Sequence, residues 1–426
     1  MRVLIVGGGG REHALAWKIS RSRMVKGIYA APGNSGMEKI GKCVSIKVDD
    51  IGTLADFAER ENIDLTVVGP ELPLTLGIVD EFERRGLSIF GPTKKAALIE
   101  GSKAFAKEFM RKYHIPTASF RIFEQPEKAL EFLRSAEFPI VIKADGLAAG
   151  KGAIVAEDLS SAEATISRIF VDKIFGDAGS KVVVEEFLEG EEVTVLAFSD
   201  GKTVVPMVSS QDYKRAYTDD RGPNTGGMGS YAPTLFINDK MMKRIHEEIL
   251  EPTIVGLEKE ERNFKGILYA GLMITEVGPK VMEYNCRFGD PETQVVLPLL
   301  KNDLVEIFLS ILKGELDLED IAWKDEFAVC VVLASAGYPG KYERDVEIYG
   351  LDRAENEAIV FHAGTRTSNG KVLTNGGRVM GVTATDKNIE KTISKAYSAI
   401  EKIRFKGMQF RKDIGRKATR VERKYF

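Results

Sequence analysis

The sequence predicts a multidomain protein of mixed α/β and α+β class, and three patterns along its 426 residues support this prediction. In the first hundred residues, short apolar runs alternate with helical patterns, which is typical of βαβ units with a parallel, Rossmann-like sheet. In the middle of the chain, two strands flank the Gly/Ala-rich loop ADGLAAGKG. After Trp323, short strands between turns and one helix predict a small α+β domain. We therefore expect three domains, at residues 1–100, 101–325 and 326–426.

The N-terminal region is predicted to alternate strands with crossover helices. The predicted strands are residues 2–6, 27–31, 44–48, 65–68 and 87–90, and the predicted helices are residues 12–20, 51–61 and 76–85. Turn signals in the strings GGGG, APGN, VGPE and FGPT follow the strands. Ligands of open α/β sheets bind at the carboxyl ends of the strands, so these turns are candidate binding positions.

The rest of the chain mixes long helices with paired strands. A helical pattern covers residues 94–114 and is broken at Ile115-Pro116, since the residue before a proline disfavours helix. The other predicted helices are residues 156–170 and 388–403, and residues 211–231 are predicted to be a loop. The predicted strands are residues 139–143, 153–155, 181–185, 193–198, 266–275, 280–284, 327–334, 358–362 and 378–385. Of these, 181–185 and 193–198 are predicted to form a strand pair, and 266–275 and 280–284 a hairpin.

Composition excludes several classes of function. Lys and Arg number 60 and Asp and Glu number 63, so no strong basic field is available to hold a nucleic-acid backbone. Three cysteines without a CxxC pair argue against a disulfide framework or a structural zinc site. No apolar stretch is long enough to cross a bilayer, and the N-terminal apolar run is too short for a signal peptide. We expect a cytoplasmic monomer that acts on small molecules, without nucleic acid or membrane partners.

The string GGGGREHA follows a strand and opens a helix, which is the setting of a dinucleotide site. Neither reading frame completes G-x-G-x-x-G, because Glu12 or His13 stands at the third glycine position. The acidic residue expected about 20 positions on is also missing. NAD binding is therefore disfavoured. A phosphate or anion site at the helix N-terminus and a tight turn without ligand both remain open.

A second glycine loop follows the strand that ends in Lys143, and Lys151 stands inside it. Lys143 is costly to bury without an anion, and a loop with little side-chain bulk can fold its N–H groups over phosphates as a lid. The P-loop pattern G-K-[ST] is absent at the required spacing. A hairpin turn with a lysine that reaches solvent is the alternative.

Two acidic strings carry candidate ligand positions. In VVVEEFLEGEEVTV, the backbone groups of Glu186 and Leu188 would meet an adenine edge and Glu192 would accept ribose hydroxyls, although a solvated hairpin end is the simpler interpretation for most of these acids. In VMEYNCRFGDPETQ, Glu283 and Asn285 lie two apart on one strand face and form a hard-oxygen pair suited to Mg²⁺. Arg287 continues that face and can hold a carboxylate or phosphate. Alternating polar residues on a sheet face are the other possibility.

Taken in this order, Lys143 with the ADGLAAGKG lid, EEFLEGEE and EYNCRFGDPE resemble the ATP-grasp ligases. Lys103, in IEGSKAFAKEFM, falls where that family keeps its first phosphate-side lysine. The strings GGGGREHA, APGN, VGPELPL, SQDYKRAYTDDRGPNTGGMG and EYNCRFGDPETQ narrow the resemblance to the phosphoribosylamine–glycine ligases, also called glycinamide ribonucleotide synthetases. The resemblance runs from Met1 to the C-terminus.

The resemblance implies a pre-ATP-grasp Rossmann-like domain, an ATP-grasp domain with a mobile lid at about 115–190, and a small C-terminal domain. It implies a ligase of purine (IMP) biosynthesis that joins glycine to 5-phosphoribosylamine, giving glycinamide ribonucleotide, ADP and phosphate through glycyl phosphate. ATP would be the co-substrate and Mg²⁺ or Mn²⁺ the cofactor. Many ATP-grasp enzymes carry another metal-binding carboxylate on the preceding strand, where this chain has Ala270-Gly271-Leu272. Glu283 and Asn285 would then carry most of the metal coordination.

The implied site residues fall into three groups. Catalysis and nucleotide binding are assigned to Arg287, Lys103, Lys143, Lys151, Glu185, Glu186, Leu188 and Glu192; metal binding to Glu283 and Asn285; and substrate binding to Gly9, Gly10, Asp212, Lys214, Asn224, Thr225, Gly226, Gly227 and Arg287. Asp212 would pair with the ammonium group of glycine. Cys286, which alternates to the opposite face of its strand, is predicted to be core.

Three competing functions remain at this stage. The first is another ATP-grasp carboxylate–amine or carboxylate–carbonate ligase, which differs only in its substrates. The second is a nucleotide-binding regulatory module without turnover. The joint presence of the candidate phosphate-binding and metal-binding residues argues against it. The third is an NAD-dependent dehydrogenase, which the incomplete glycine pattern disfavours.

Overall fold

The computed structural model describes residues 1–148 and 152–419. Its N-terminal unit is built on five parallel strands in the order β3-β2-β1-β4-β5. The strands are β1 (Arg2–Gly7), β2 (Gly27–Pro32), β3 (Lys42–Cys43), β4 (Leu65–Val68) and β5 (Ile89–Phe90), and the helices are α1 (Gly10–Ile19), α2 (Ser35–Glu38), α3 (Ile51–Arg60), α4 (Glu71–Leu76), α5 (Ile78–Arg84) and α6 (Lys94–Gly101). This confirms the predicted parallel sheet.

The next segment forms an antiparallel sheet in the order β6-β9-β7-β8, with helices packed against it. Its elements are α7 (Lys103–Lys112), β6 (Phe120–Phe123), α8 (Pro126–Leu133), β7 (Ile140–Ala144), β8 (Ala153–Ala156), α9 (Leu159–Phe170), a 3₁₀ turn (Gly176–Gly179) and β9 (Val182–Glu186). Helix α9 begins where the side chain of Asp158 accepts a hydrogen bond from the Ser161 N–H at 2.8 Å, which is ordinary N-capping.

A second antiparallel sheet has the order β11-β10-β16-β17. Its last strand carries Glu283 and Asn285, the residues predicted to bind a metal ion (the metal motif). The elements of this segment are β10 (Glu191–Asp200), β11 (Val204–Pro206), β12 (Gln211–Asp212), β13 (Arg215–Tyr217), β14 (Arg221–Asn224), β15 (Gly229–Ala232), α10 (Asp239–Ile245), a π-helical turn (His246–Leu250), α11 (Glu251–Lys259), β16 (Lys265–Thr275), β17 (Gly278–Asn285), α12 (Thr293–Leu299) and α13 (Leu304–Lys313).

The C-terminal unit is α+β, as predicted, but its sheet is not made from the C-terminal residues alone. Its elements are β18 (Phe327–Ala334), α14 (Leu351–Glu355), β19 (Ile359–His362), β20 (Thr365–Ser368), β21 (Lys371–Thr374), β22 (Arg378–Asp386) and α15 (Ile389–Ile400). The sheet order is β12-β15-β18-β22-β19, so two strands come from the segment that was predicted to be a loop. The segment at residues 211–231, which carries most of the predicted substrate-binding residues, is therefore hydrogen-bonded into the C-terminal sheet.

Four further predictions about elements are corrected. Residues 44–48 are not a strand, because the chain turns away where the Ile46 N–H donates to the Val44 carbonyl. The helix predicted at 76–85 begins only at Ile78, because Gly77 adopts a left-handed conformation with φ 97° and ends the preceding helix α4. The helix predicted at 94–114 is interrupted at Ser102, which is extended and caps α7 through the Phe105 N–H. The strands predicted as a pair at 181–185 and 193–198 lie in different sheets.

Within residues 1–148 and 152–419, buried apolar side chains form four clusters. Two of these clusters join the N-terminal sheet to later parts of the chain. In one cluster, Leu4 and Val6 of β1 are buried together with Leu272 of β16. In another, Val3 and Ile5, on the opposite face of β1, are buried together with helices α12 and α13. No helix among the described residues has the length and apolarity needed to span a membrane.

Candidate active site

The metal motif lies on β17, where side chains alternate between faces. Glu283 is paired across the hairpin with Gly271, and a Cβ atom at Gly271 would lie 3.2 Å from Cγ of Glu283. The position opposite Glu283 is therefore occupied by a residue without a side chain. Lys214 Nζ lies 4.0 Å from Oε1 of Glu283 and 3.1 Å from Oε2 of Glu192. The segment between β12 and β13 thus places Lys214 beside Glu283, the predicted metal ligand.

Several cations control the charge of Glu283. Burial raises the pKa of its carboxyl, but Lys214, then Lys143 and Lys103, lower it, and the net direction is below the usual glutamate value. The carboxylate is therefore anionic near neutral pH. Burial alone would lower the pKa of Lys214, yet Glu192, Asp212 and Glu283 hold it well above its usual value. The charges stabilise one another in a partly enclosed site.

Lys143 and Lys107 share one buried carboxylate. Nζ of Lys143 donates to Oε2 of Glu185 at 2.9 Å and to the carbonyl of Met282 at 2.9 Å. Nζ of Lys107 lies 2.9 Å from the same oxygen of Glu185 and donates to Oγ1 of Thr117 at 2.7 Å. Burial lowers the pKa of Lys107 to about 8, against the opposing effect of Glu185. Glu185 thus fixes Lys143 at the end of β7, beside the metal motif.

The glycine-rich loop is anchored to the start of helix α7. Oδ1 of Asp145 accepts from the Ser102 hydroxyl at 2.8 Å and from the Ala104 N–H at 2.7 Å. Nζ of Lys103 donates to the carbonyl of Gly146 at 2.8 Å, and burial lowers its pKa. Lys151 lies outside the described residues, so its predicted role stays a prediction. The described part of the loop therefore begins beside Lys103 and Lys143.

The predicted adenine segment follows β9. The Glu186 N–H donates to the carbonyl of Ser119 at 3.1 Å, and Oε1 of Glu186 accepts from Lys280 Nζ at 3.0 Å. Among the described residues, the N–H of Leu188 has no protein acceptor, so it is available to a base edge. At the other end of this turn, Glu192 lies on β10 and forms an ion pair with Lys214.

Arg287 is engaged by two carboxylates that the sequence did not suggest. Its Nε donates to Oε2 of Glu71 at 3.1 Å, and its Nη2 lies 3.2 Å from Oε1 of Glu100. Nη2 also donates to Oδ1 of Asn285 at 3.2 Å. Burial raises the pKa of Glu71, but Arg287 and then Arg11 lower it, to about 2. A substrate carboxylate at Arg287 would have to share the guanidinium with these acids.

Asp212 lies among other carboxyl groups. Burial raises its pKa to about 7; Lys214 opposes this effect and Glu292 adds to it. Glu292 is itself buried, and its Oε1 accepts from the Tyr269 hydroxyl at 2.8 Å and from Thr194 Oγ1 at 3.3 Å. A second cation beside Asp212, such as an amino acid ammonium group, would relieve this crowding of negative charge.

The turn at residues 224–227 was predicted to offer N–H groups to an anion. In the structure, the Thr225 N–H donates to the carbonyl of Lys214 at 2.7 Å, and the Gly227 N–H donates to Oγ1 of Thr225 at 3.0 Å. The Gly226 N–H donates to the Tyr338 hydroxyl at 3.3 Å, while Asn224 is exposed at the end of β14. An anion would have to displace these internal acceptors, so the turn's contribution to substrate binding stays a prediction.

The N-terminal glycine turn packs against the end of the metal motif. The Gly9 N–H donates to Oε2 of Glu12 at 2.6 Å, which starts α1. A Cβ atom at Gly9 would lie 3.5 Å from Oδ2 of Asp290, and one at Gly10 would lie 2.5 Å from Nε2 of Gln294. The turn therefore lies against the string FGDPETQ.

The structure brings most of the predicted residues into one region, and it adds partners that sequence reasoning missed. Lys107 stands one helical turn after Lys103, and that i,i+4 spacing could have found it. Glu71 is the first residue of α4, just past the carboxyl end of β4, a position where ligands of parallel sheets are expected. Glu100 precedes Lys103 by three residues but lies on a different helix, and its contact to Arg287 depends on tertiary packing. Cys286 is buried, as predicted.

The oxygen donors of Glu283 and Asn285 fit a hard divalent cation, although they do not complete a coordination sphere. Among residues 1–148 and 152–419, no group of three or more His, Cys, Asp or Glu side chains could hold a metal ion.

Comparison with known proteins identifies matches to the whole architecture. Family models for the N domain, the ATP-grasp (A) domain and the C domain of phosphoribosylglycinamide synthetase match residues 1–100, 101–293 and 328–417. The phosphoribosylamine–glycine ligase of Caldanaerobacter subterraneus subsp. tengcongensis is 52% identical over 414 residues, covering 97% of this chain and 99% of the relative.

Solved structures agree. The crystal structure of phosphoribosylamine–glycine ligase from Thermotoga maritima superposes with a TM-score of 0.85 at 36% identity, covering 97% of this chain and 100% of that chain. The biotin carboxylase domain of Hydrogenobacter thermophilus 2-oxoglutarate carboxylase, solved with MgADP, ADP and bicarbonate, has a TM-score of 0.75 at 16% identity, covering 96% of this chain and 91% of that chain. The second likeness concerns the fold alone. These matches confirm the predicted fold class and the resemblance inferred from the sequence.

Proposed function

This chain belongs to the phosphoribosylglycinamide synthetase family, and from that premise we propose how its residues join glycine to 5-phosphoribosylamine at the expense of ATP. The chain is an ATP-grasp ligase of purine biosynthesis. One observation carries the proposal for the site: Lys214 Nζ lies 4.0 Å from Oε1 of Glu283, and Lys143 Nζ donates at 2.9 Å to the carbonyl of Met282, the residue before Glu283. Such a convergence of cations suits a reaction that moves a phosphoryl group, because positioning and charge neutralisation supply most of its catalysis.

Nucleotide binding is proposed for the cleft between β9 and β10. The free N–H of Leu188 would donate to the adenine edge, with a backbone group of Glu186 beside it. Glu192 would accept the ribose hydroxyls, and Glu185 would hold Lys143 toward the phosphates through its 2.9 Å contact. Lys103 would approach the phosphates from helix α7. The lid at about 115–190, with Lys151, would exclude water from the transfer.

Glu283 and Asn285 would hold Mg²⁺ or Mn²⁺, which when bound would neutralise phosphate charge and orient the transferring group. The protein's own task is to align glycine, the phosphoryl acceptor. The ammonium group of glycine would pair with Asp212, and its carboxylate would lie near Arg287. A carboxylate oxygen would then attack the γ-phosphorus, the bond to ADP would break, and glycyl phosphate would form.

The second half-reaction would follow in the same enclosed site. The amine of 5-phosphoribosylamine would attack the acyl carbon, lose a proton and release inorganic phosphate, leaving glycinamide ribonucleotide. Gly9 and Gly10, at the carboxyl end of the parallel sheet, would face the ribose phosphate, with the segment from Lys214 to Gly227 on the opposite side. We assign the three domains to residues 1–100, 101–325 and 326–426, acting together in a monomer on small molecules only.

Isotope transfer tests this chemistry. With glycine labelled by ¹⁸O in its carboxylate, the purified protein, ATP, Mg²⁺ and phosphoribosylamine should give glycinamide ribonucleotide, with one ¹⁸O atom transferred to each phosphate released. Omitting glycine or phosphoribosylamine should abolish coupled ADP release. Product without ¹⁸O in phosphate would contradict glycyl phosphate, and ADP release with other amines or acids in place of these substrates would indicate a different ATP-grasp ligase.

A further inference from the structure

Arg378, the first residue of β22, reaches from the C-terminal unit to two segments of the site. Its Nη1 donates to the backbone carbonyl of Asp290 at 2.7 Å, to the carbonyl of Gly227 at 3.3 Å, and to the carbonyl of Gly226. Its Nη2 lies 3.0 Å from Oδ2 of Asp290. The guanidinium of Arg378 therefore joins the turn at Asp290, which follows the metal motif, to the turn at Gly226-Gly227, which follows the β13–β14 hairpin.

Asp290 links this guanidinium to the N-terminal glycine turn. Its Oδ1 accepts from Nε2 of Gln294 at 2.7 Å, and its Oδ2 lies 3.5 Å from where a Cβ atom of Gly9 would stand. Burial raises the pKa of Asp290, but Arg378 and Arg11 lower it, and the net direction is below the usual aspartate value. The carboxylate is thus anionic, is held from two sides, and faces the turn proposed for the ribose phosphate substrate.

The geometry distinguishes a positioning role from direct substrate contact. The Nη1 donor of Arg378 is directed at protein carbonyls from two separate segments, and Nη2 faces a protein carboxylate. A planar guanidinium with several fixed donors can bridge such acceptors, whereas the ammonium of lysine is a point charge that cannot reproduce the fork. A Cβ atom at Gly226 would lie 3.1 Å from Cζ of Arg378, so the turn has room for this approach only because residue 226 lacks a side chain.

We propose that Arg378 is a positioning residue for 5-phosphoribosylamine: it holds Asp290 against the Gly9-Gly10 turn, where the carboxylate accepts hydrogen bonds from the ribose hydroxyls, and it fixes the Gly226-Gly227 turn on the other side. The C-terminal unit thereby sets the affinity for this substrate without contacting ATP. The inference rests on the proposed placement of phosphoribosylamine. It gives the C-terminal unit, through Arg378 on β22, a role in substrate binding.

A double-mutant cycle tests the inference. Steady-state kinetics would be measured for Arg378→Gln, Asp290→Asn and the double variant, varying phosphoribosylamine, glycine and ATP in turn. Each single variant should raise the KM for phosphoribosylamine roughly tenfold or more, because a buried charge pair loses one partner. The KM values for ATP and glycine should stay unchanged. The rise in KM of the double variant should be smaller than the product of the two single rises, since Arg378 acts in part through Asp290. Arg378→Lys should restore only part of the affinity.

Arg366→Gln is the matched control, because Arg366 lies in the same unit and pairs with Asp345 at 2.8 Å on the exposed surface. It should leave all KM values unchanged. An unchanged KM for phosphoribosylamine in Arg378→Gln, a parallel rise of all three KM values, or additive effects in the double variant would each overturn the inference. If Arg378→Gln does not fold, Asp290→Asn alone decides by the same selective change in KM. Wild-type turnover tests the proposed reaction separately, so the two failures are distinguishable.

Discussion

Nε of Arg287 donates to Oε2 of Glu71 at 3.1 Å, and these two residues are separated by 216 positions in the chain. The pair joins the segment just after β17 to the first residue of α4, the helix that follows β4 of the parallel sheet. Glu100 holds the same guanidinium from a second direction. Arg287 is therefore fixed in place before any substrate arrives, which favours a role in orienting charge during the reaction.

Replacing Arg287 should affect turnover more than nucleotide binding. Charge develops on the oxygens of the transferring group and the acyl phosphate, so losing this donor should lower kcat by about 10²–10³-fold in Arg287→Ala. Arg287→Lys keeps the charge but loses the fork and should recover only part of the activity. Equilibrium binding of ATP, measured by calorimetry, should change little. A parallel loss of ATP binding and turnover would place Arg287 at the nucleotide instead.

Removing the carboxylate of Glu283 should weaken the response to Mg²⁺. Glu283→Gln retains size but loses the anionic oxygen, so the Mg²⁺ concentration for half-maximal activity should rise and kcat should fall. Titrations of activity against Mg²⁺ and Mn²⁺ measure this. Glu276→Gln, an exposed acid in the turn of the same hairpin, is the matched control and should behave as wild type. Near-normal turnover with an unchanged Mg²⁺ response in Glu283→Gln would refute the metal assignment.

The ion pair of Glu71 should stabilise the protein in a defined pH range. Its folded-state pKa is about 2 against an ordinary value of 4.5, so its stabilising effect is complete above about pH 4.5 and is lost as pH falls toward 2. The Tm of Glu71→Gln should therefore lie below that of wild type at pH 7, and the difference should shrink through this window.

Salt provides the control for that prediction. Glu124 lies 2.7 Å from Lys181, which lowers the pKa of its carboxyl, but both side chains of that pair are exposed to solvent. High salt should remove any Tm difference caused by Glu124→Gln and largely retain the one caused by Glu71→Gln, because partly buried pairs are screened less. Equal salt sensitivity of the two variants would show that Glu71 behaves as a surface acid.

Nucleotide should order the segment around β7 and β8. If residues 145–152 close over ATP, hydrogen exchange of peptides covering residues 140–156 should slow when ATP and Mg²⁺ are added. A peptide covering α15 (Ile389–Ile400) serves as the control and should exchange equally with and without nucleotide. Equal exchange at residues 140–156 in both conditions would identify a rigid turn in place of a lid.

Local pattern was sufficient wherever the determinant lies within a few residues. The alternation of side chains along β17 puts Glu283 and Asn285 on one face whatever surrounds them, and the βαβ rhythm of the first hundred residues predicts the parallel sheet. The glycine strings and the long motifs of the middle region indicate the family. Element boundaries were less secure, because single residues such as Ser102 and Gly77 end a helix through capping or a left-handed conformation that periodicity does not reveal.

Tertiary structure decided which charges meet. Glu71 and Glu100 around Arg287, and Arg378 on Asp290, are contacts between distant segments, and no spacing in the sequence encodes them. They form because buried charges require partners, and the packing of the sheets determines which partners come within reach. Packing also places β12 and β15, from a predicted loop, in the C-terminal sheet, since the backbone of β15 finds hydrogen-bond partners on β18 and that of β12 finds them on β15.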